Sequence, residues 1–328
     1  MAKSTRRRKS VVKGAGDDNP PPQKVVLRGM ADLEKTLARR FQERKKQFAR
    51  LAEANASLRD KLLGVFGDDP AWAACSRRAR RVARASLASR RISISKALPR
   101  KVGAGVFVGI NGGARFLPFD YSWTGSYGYD TAKGIPDLGA DADSGDMHVN
   151  VNTSIFEGGL DGYAAVGIFF RLPSLGFFRV PVFPLAILSV SANPSVYFGW
   201  EAFFDPATQW IYSGGFIGLL VQRYDWTEGL ASPLSTATLV AQEISLWKDN
   251  SLGLNGSGWN NPWVSVPLSA SFLVDSGHWY ALWVWCGTHD WGAGPYHRNG
   301  SWALSELRAN VPSINWQFCP MQALPARP

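Results

Sequence analysis

The residues in this chain best suited to chemistry with a partner are its arginines. Seven of them, Arg77, Arg78, Arg80, Arg81, Arg84, Arg90 and Arg91, stand within fifteen positions, interleaved with Ala, Val and Ser. Arginine stays charged at any physiological pH, and its planar fork of donors matches phosphate geometry. A second basic cluster, Arg6, Arg7, Arg8 and Lys9, lies near the start. Together they form the candidate site for nucleic acid or another polyanion. The charge is divided sharply: residues 1–101 hold 27 Lys/Arg and 9 Asp/Glu, a net +18, while residues 102–328 hold 9 and 17, a net −8. A basic arm precedes an acidic body.

Other reactive groups cluster more loosely. Asp141, Asp143, Asp146 and His148 stand in GADADSGDMHVN. Alternating oxygen ligands around a glycine suit Ca²⁺, but no terminal Glu closes the loop, so a solvated acidic turn is the expectation. Cys286, His289, Asp290 and His297 have a loosely zinc-like spacing with no second ligand pair. No Gly-x-Ser-x-Gly elbow, phosphate-binding loop or dinucleotide fingerprint occurs, so a non-enzymatic protein without a cofactor is expected. Trp279, Trp283 and Trp285 share one face of a strand and read as core. Trp259 (in GSGWNNP) and Trp291 (in HDWGAGP) read as loop residues whose exposed rings can stack on glycan.

Four segments position these residues. Residues 1–29 are polar, basic and Pro-rich, and are expected to form a disordered tail. Residues 30–66 are free of Pro and, before Gly64, of internal Gly beyond Met30, and they predict a long amphipathic helix. Its heptad a positions are Phe41, Phe48, Asn55 and Leu62; the d positions are Leu37, Arg44, Leu51, Leu58 and Val65. Such a stripe suits a coiled coil or docking on the chain's own body, and Glu34 and Arg44 interrupt the seam. Residues 67–101 predict an Arg-rich helix and linker, with Asp69 as N-cap and Pro70 at the first turn. Trp72, Cys75, Ala79 and Val82 supply its narrow apolar stripe.

From residue 102 the composition turns to Gly, Trp, Phe, Ser and Val in short runs divided by turn residues. Residues 102–328 are expected to form an antiparallel β-sandwich or jelly-roll-like domain. The expected strands include 105–110, 114–120, 147–155, 163–172, 178–182, 210–214, 216–224, 263–274 and 278–287, with one helical turn at Leu304–Ala309. Along 278–286 both alternating faces are apolar, which places this strand at the centre of the sandwich.

The start of the chain has no apolar run behind its basic residues, and the stretch from Val180 to Ala192 falls short of the ~20 residues a membrane span needs. A cytoplasmic protein without a membrane span is expected. The layout of basic arm and β-sandwich is similar in outline to some viral capsid proteins, whose arms neutralise packaged nucleic acid. Two functional readings follow. One is an assembly or structural protein, self-associating through its β body, whose arm binds a polyanion. The other is a lectin-like sandwich that binds glycan through Trp259 and Trp291.

Binding to phosphate by this arm is expected to weaken linearly on a log–log salt plot, with a slope of about −0.9 per phosphate contacted on duplex DNA. Filter binding across a salt series checks it: replacing Arg77, Arg78, Arg80, Arg81 and Arg84 with Gln should abolish the binding and its slope together.

Overall fold

The computed structural model describes residues 22–66, 70, 106–109, 112–130, 133–154, 158–171, 185–203, 210–225, 235–251, 256–259, 262–275, 278–293 and 302–320. The first described element is a long helix, α1 (Gln23–Phe66). Strands β1 (Val106–Gly109), β2 (Gly112–Phe116), β3 (Tyr121–Asp130), β4 (Lys133–Asp141), β5 (Asp146–Ser154) and β6 (Gly158–Arg171) follow. Next come β7 (Leu185–Ala192), β8 (Ser195–Phe203), β9 (Trp210–Asp225), β10 (Ser235–Ser251) and β11 (Gly256–Trp259). The last are β12 (Val264–Ser265), β13 (Leu268–Asp275), β14 (Trp279–Ala293), β15 (Trp302–Asn310) and β16 (Ser313–Pro320).

These strands make three antiparallel sheets. The central sheet runs β10-β9-β14-β6-β3; the other two run β1-β2-β16-β7-β13 and β11-β8-β15-β5-β4. Strand β14 lies between β6 and β9 over its whole length, from Trp279↔Arg171 and Trp279↔Tyr224 to Gly292↔Gly158 and Gly292↔Ile211. The alternation read from the sequence is borne out on both faces. Tyr280, Leu282, Val284 and Cys286 enter one core with Leu188, Val190 and Leu268 of one neighbouring sheet and Val149, Val151 and Leu307 of the other. Trp279, Ala281, Trp283 and Trp285 enter a second core with Val25, Leu33 and Leu37 of α1. The molecule is therefore a β-sandwich with a helix laid over its outer aromatic face.

Helix α1 begins seven residues before the expected start, so residues 23–29 are not tail. Val25 and Val26 are buried, which supplies the apolar contact a polar tail lacks. Arg28 also pairs with Asp32 one turn later at 3.0 Å. Gly29 lets this first part of the helix approach the sheet, because a Cβ there would lie 2.5 Å from Phe169 Cζ. The stripe Leu33, Leu37, Phe41 and Phe48 is buried against the sheet, so the seam from Leu37 to Phe48 is used within the chain. Val65, a d position, is 72% exposed.

Several strand boundaries also differ. Tyr121–Asp130 and Lys133–Asp141 are strands that the glycines concealed, although Tyr121, Trp123 and Tyr127 do alternate. The split at Gly214–Gly215 vanishes, and β9 is continuous because β10 and β14 pair with it on both sides. The reverse holds at residues 263–274, where Pro267, which has no N–H for a ladder, separates β12 from β13. Leu304–Ala309 is strand, not helix: it pairs with β5 and β8. In isolation LSELRA favours a helix, and the two flanking ladders override that preference. The expected strand at 178–182 and the tail at 1–21 lie outside the described residues.

Trp283 is fully buried beneath α1. Trp283→Ala is expected to cost roughly 3–5 kcal/mol, measured by denaturant titration.

Candidate functional site

The second core ends in a cluster of polar and charged groups where α1 crosses one end of the central sheet. Four strands deliver them by ordinary period-two geometry. Asp161 and Tyr163 of β6 share the face of Trp285, His289 and Trp291 of β14, since Asp161 pairs with His289 and Tyr163 with Gly287. Strand β9 adds Tyr212 and Phe216, and the neighbouring β10 adds Glu243 and Ser245. The helix supplies Arg40, Arg44, Gln47 and Phe48 on its sheet-facing side.

Arg44 is the hub. Its Nε lies 3.3 Å from Asp161 Oδ2, its Nη1 lies 3.5 Å from Glu243 Oε1, and its Nη2 donates to Tyr163 Oη. Its guanidinium also sits 4.3 Å above the centre of the Phe216 ring, a cation–π contact. Burial by itself would lower the Arg44 pKa, yet the facing Tyr163, Asp161 and Glu243 more than offset it and hold the group above its ordinary value. Asp161 is completely buried. Oδ1 accepts from Trp291 Nε1 at 2.7 Å, and Oδ2 accepts from Tyr163 Oη at 2.8 Å. Burial pushes its carboxyl upward, and the Arg44, Trp291 and Tyr163 donors work against that rise. Donors alone converge on it, which is the environment of an ionised carboxylate. Arg40 pairs with Glu243 Oε2, donates to Ala241 O at 3.1 Å, and lies 5.0 Å over the Trp285 ring.

Beside this network is a cleft of about 110 Å³ lined by Arg44, Gln47, Phe48, Tyr212, Phe216, Glu243, Ser245, His289 and Trp291. Aromatic rings make much of its wall. Tyr212 stacks on His289 at 5.0 Å and 8°, His289 stacks on Phe216 at 5.5 Å, and Phe48 meets Trp291 at 5.0 Å. Tyr212 is half-buried and Gln47 is exposed, so the cleft combines ring surface with an amide, a hydroxyl and a carboxylate.

On the opposite face of β14 a second buried carboxylate has a different environment. Ser213 Oγ donates to Asp290 Oδ1 at 2.7 Å, and Ser305 is the second hydroxyl that bears on this carboxyl. Burial pushes the Asp290 carboxyl up to about 7, with hydrogen bonding from Ser213 and Ser305 opposing the rise and the charge of Asp161 adding to it.

The residues singled out from the sequence fall differently. Trp291 is not a loop residue: β14 continues to Ala293, and the ring is 1% exposed, with its N–H bonded to Asp161. The signal lost in HDWGAGP was that the alternation continues past Gly287. Trp259 belongs to β11 and pairs with Gly199 of β8. Cys286 and Asp290 point into the sandwich while His289 points toward α1, so pleating separates the zinc-like set; His297 lies outside the described residues. No group of three metal-ligating side chains occurs among the described residues. In the acidic turn, Asp141 accepts from Asp143 N and Ser144 Oγ, Asp146 accepts from Asn310, and Gly145 takes the φ of +70° that closes the hairpin. Those carboxylates cap a turn. Arg6, Arg7, Arg8, Lys9, Arg77, Arg78, Arg80, Arg81, Arg84, Arg90 and Arg91 lie outside the described residues. No helix among the described residues is long and apolar enough to cross a membrane. Arg44, Asp161, Tyr212 and Glu243 were missed. A lone arginine inside an apolar stripe was the available signal for the first, since a buried charge implies a buried partner.

Two outcomes test this description. Arg44→Met strands Asp161 as an uncompensated buried charge and should cost roughly 3–5 kcal/mol in denaturant titration. Because the folded value of Asp290 is raised, its contribution to stability is full below about pH 4 and lost as pH rises through about 7. Asp290→Asn should flatten the thermal-stability profile across that window, by an amount on the order of 4 kcal/mol at most.

No family model matches the chain, and no curated protein matches it. Two solved structures resemble it loosely. One is the CBM22-2 xylan-binding domain of Paenibacillus barcinonensis Xyn10C, at 11% identity and a TM-score of 0.13, covering 57% of this chain and 91% of that one. The other is a family 11 carbohydrate-binding module from Clostridium thermocellum in complex with a β-1,3-1,4-mixed-linked tetrasaccharide, at 11% identity and a TM-score of 0.14, covering 59% and 88%. The overlays are too loose to carry an argument, and the β-sandwich stands on this chain's own strand pairing.

Proposed function

We propose that this protein is a non-catalytic glycan-binding β-sandwich whose ligand enters the cleft between α1 and the central sheet. The observation that supports this is the cleft's composition: stacked aromatic rings beside Gln47, Ser245 and Glu243. A sugar ring has an apolar face that packs on aromatic carbon and a rim of hydroxyls that needs both donors and acceptors. The cleft offers both. The buried carboxylate Asp161 is occupied with Arg44, Trp291 and Tyr163, and Asp290 lies on the other face of the sheet, so neither is placed as an acid or base toward a ligand in the cleft. This reading keeps the glycan ligand but moves it from Trp259 and Trp291 to the surroundings of Tyr212.

A second reading concerns the arm, and the charge partition favours it. Residues 1–101 carry a net +18, of which α1 commits Arg40 and Arg44 to carboxylates of the body. An arm-borne polyanion site would be compatible with a glycan site on the body, and with assembly of several copies on a shared polyanion.

A glycan array probed with full-length protein, followed by calorimetry on the positive sugars, tests the principal reading. Tyr212→Ala and Gln47→Ala should each weaken binding about tenfold, the loss of roughly 1.4 kcal/mol, with little change in melting temperature. An array without a positive sugar, or binding indifferent to both substitutions, would overturn it.

A further inference from the structure

We infer that the cleft selects neutral sugars and rejects uronic, sulfated or otherwise anionic ones, because its cations are already neutralised by carboxylates of the protein itself. The inference rests on the glycan reading and adds the class of ligand to it. Its basis is the linked set Arg40–Glu243–Arg44–Asp161. The charged groups lining the cleft are Arg44 and Glu243, and they face each other at 3.5 Å. Glu243 is bound at both oxygens, with Oε2 paired to Arg40 and Oε1 to Arg44. On its other side Arg44 meets Asp161 at 3.3 Å and donates to Tyr163. Two guanidinium groups thus balance two carboxylates.

Commitment of donors matters as much as net charge. Arginine recognises a carboxylate or sulfate by offering a pair of parallel N–H groups. All three nitrogens of Arg44 are aimed at Asp161, Tyr163 and Glu243, and both terminal nitrogens of Arg40 at Glu243 and Ala241 O. An anionic ligand would have to compete with these partners for the donors of Arg44, the arginine that lines the cleft. Such a ligand would have to displace Glu243, and it would approach that carboxylate's negative charge. A neutral ring meets Gln47, Ser245 and the unshared lone pairs of Glu243 with no such cost. The site therefore resembles a pre-neutralised surface, where desolvation of an incoming anion goes uncompensated.

The test compares glucose- and xylose-based oligosaccharides with their uronic-acid counterparts by calorimetry on the full-length protein. Neutral ligands should bind, and the acidic ones should bind at least about tenfold more weakly. Glu243→Gln leaves the two guanidinium groups with one carboxylate, and should bring the acidic ligands to parity or better, with an affinity that falls as salt rises. Should that variant fold poorly, Ser245→Lys places an additional cation at the cleft while leaving the network intact, and predicts the same gain. Equal or tighter binding of acidic sugars by the unaltered protein would overturn the inference while leaving the glycan reading standing. So would a failure of both variants to gain acidic ligands. Absence of binding to either class would overturn the glycan reading, and this inference with it.

Discussion

A guanidinium buried against an aromatic sheet is the constraint on which this structure depends. Taking Arg44 out of water is costly, and only a partner at hydrogen-bonding distance makes its position tolerable. Asp161, Tyr163 and Glu243 meet that requirement from two different strands, β6 and β10, on either side of β9 and β14. The apolar stripe of α1 would still find greasy surface if the helix slid by one turn. The ion pairs would not survive such a slide. Apolar contact supplies the attraction, and the buried charges fix the register.

That register also creates the cleft. Gln47 and Phe48 lie one turn beyond Arg44, so their placement beside Tyr212, Ser245 and His289 follows from where Arg44 is held. Trp291 links the two roles. Its ring packs on Phe41 at 5.5 Å and Phe48 at 5.0 Å, and its N–H orients Asp161 toward Arg44. The cleft belongs to neither the sandwich nor the helix alone. Ligand affinity and helix docking are consequently linked quantities, since anything that binds both walls favours the docked state.

The sequence made one face-to-face alternation plain, and that was enough to find the middle of the fold. Every residue from Trp279 to Cys286 sits where a two-sided buried strand requires. The helix was legible from its 3–4 spacing, but what covered its stripe was not, because periodicity shows that a face is buried and not against what. Trp291 and Leu304–Ala309 show the other limit. Local chemistry argued for a loop and a helical turn; the ladders that override it come from β6, β9, β5 and β8, far away in the chain, as in Ala309↔Met147. Asp161 escaped notice for a related reason. A carboxylate in GGLDGY looks like turn chemistry until a guanidinium from residue 44 is placed beside it.

The two buried carboxylates of the central sheet are solved in opposite ways, and the solutions are coupled. Asp161, on the helix face, keeps its charge by receiving Arg44. Asp290, next in the chain to His289 (the cross-strand partner of Asp161) and on the sandwich face, has hydroxyls from Ser213 and Ser305 and holds its proton to about pH 7. Because the charge of Asp161 helps raise the Asp290 value, Arg44 bears on a site it does not touch. With the helix docked, part of that repulsion is cancelled across the sheet. With the helix away, Asp161 would lose both the Arg44 charge and the cover that raises its carboxyl. Docking the helix therefore both covers Asp161 and pairs it, and the bonds from Arg44, Trp291 and Tyr163 offset the cost of that cover.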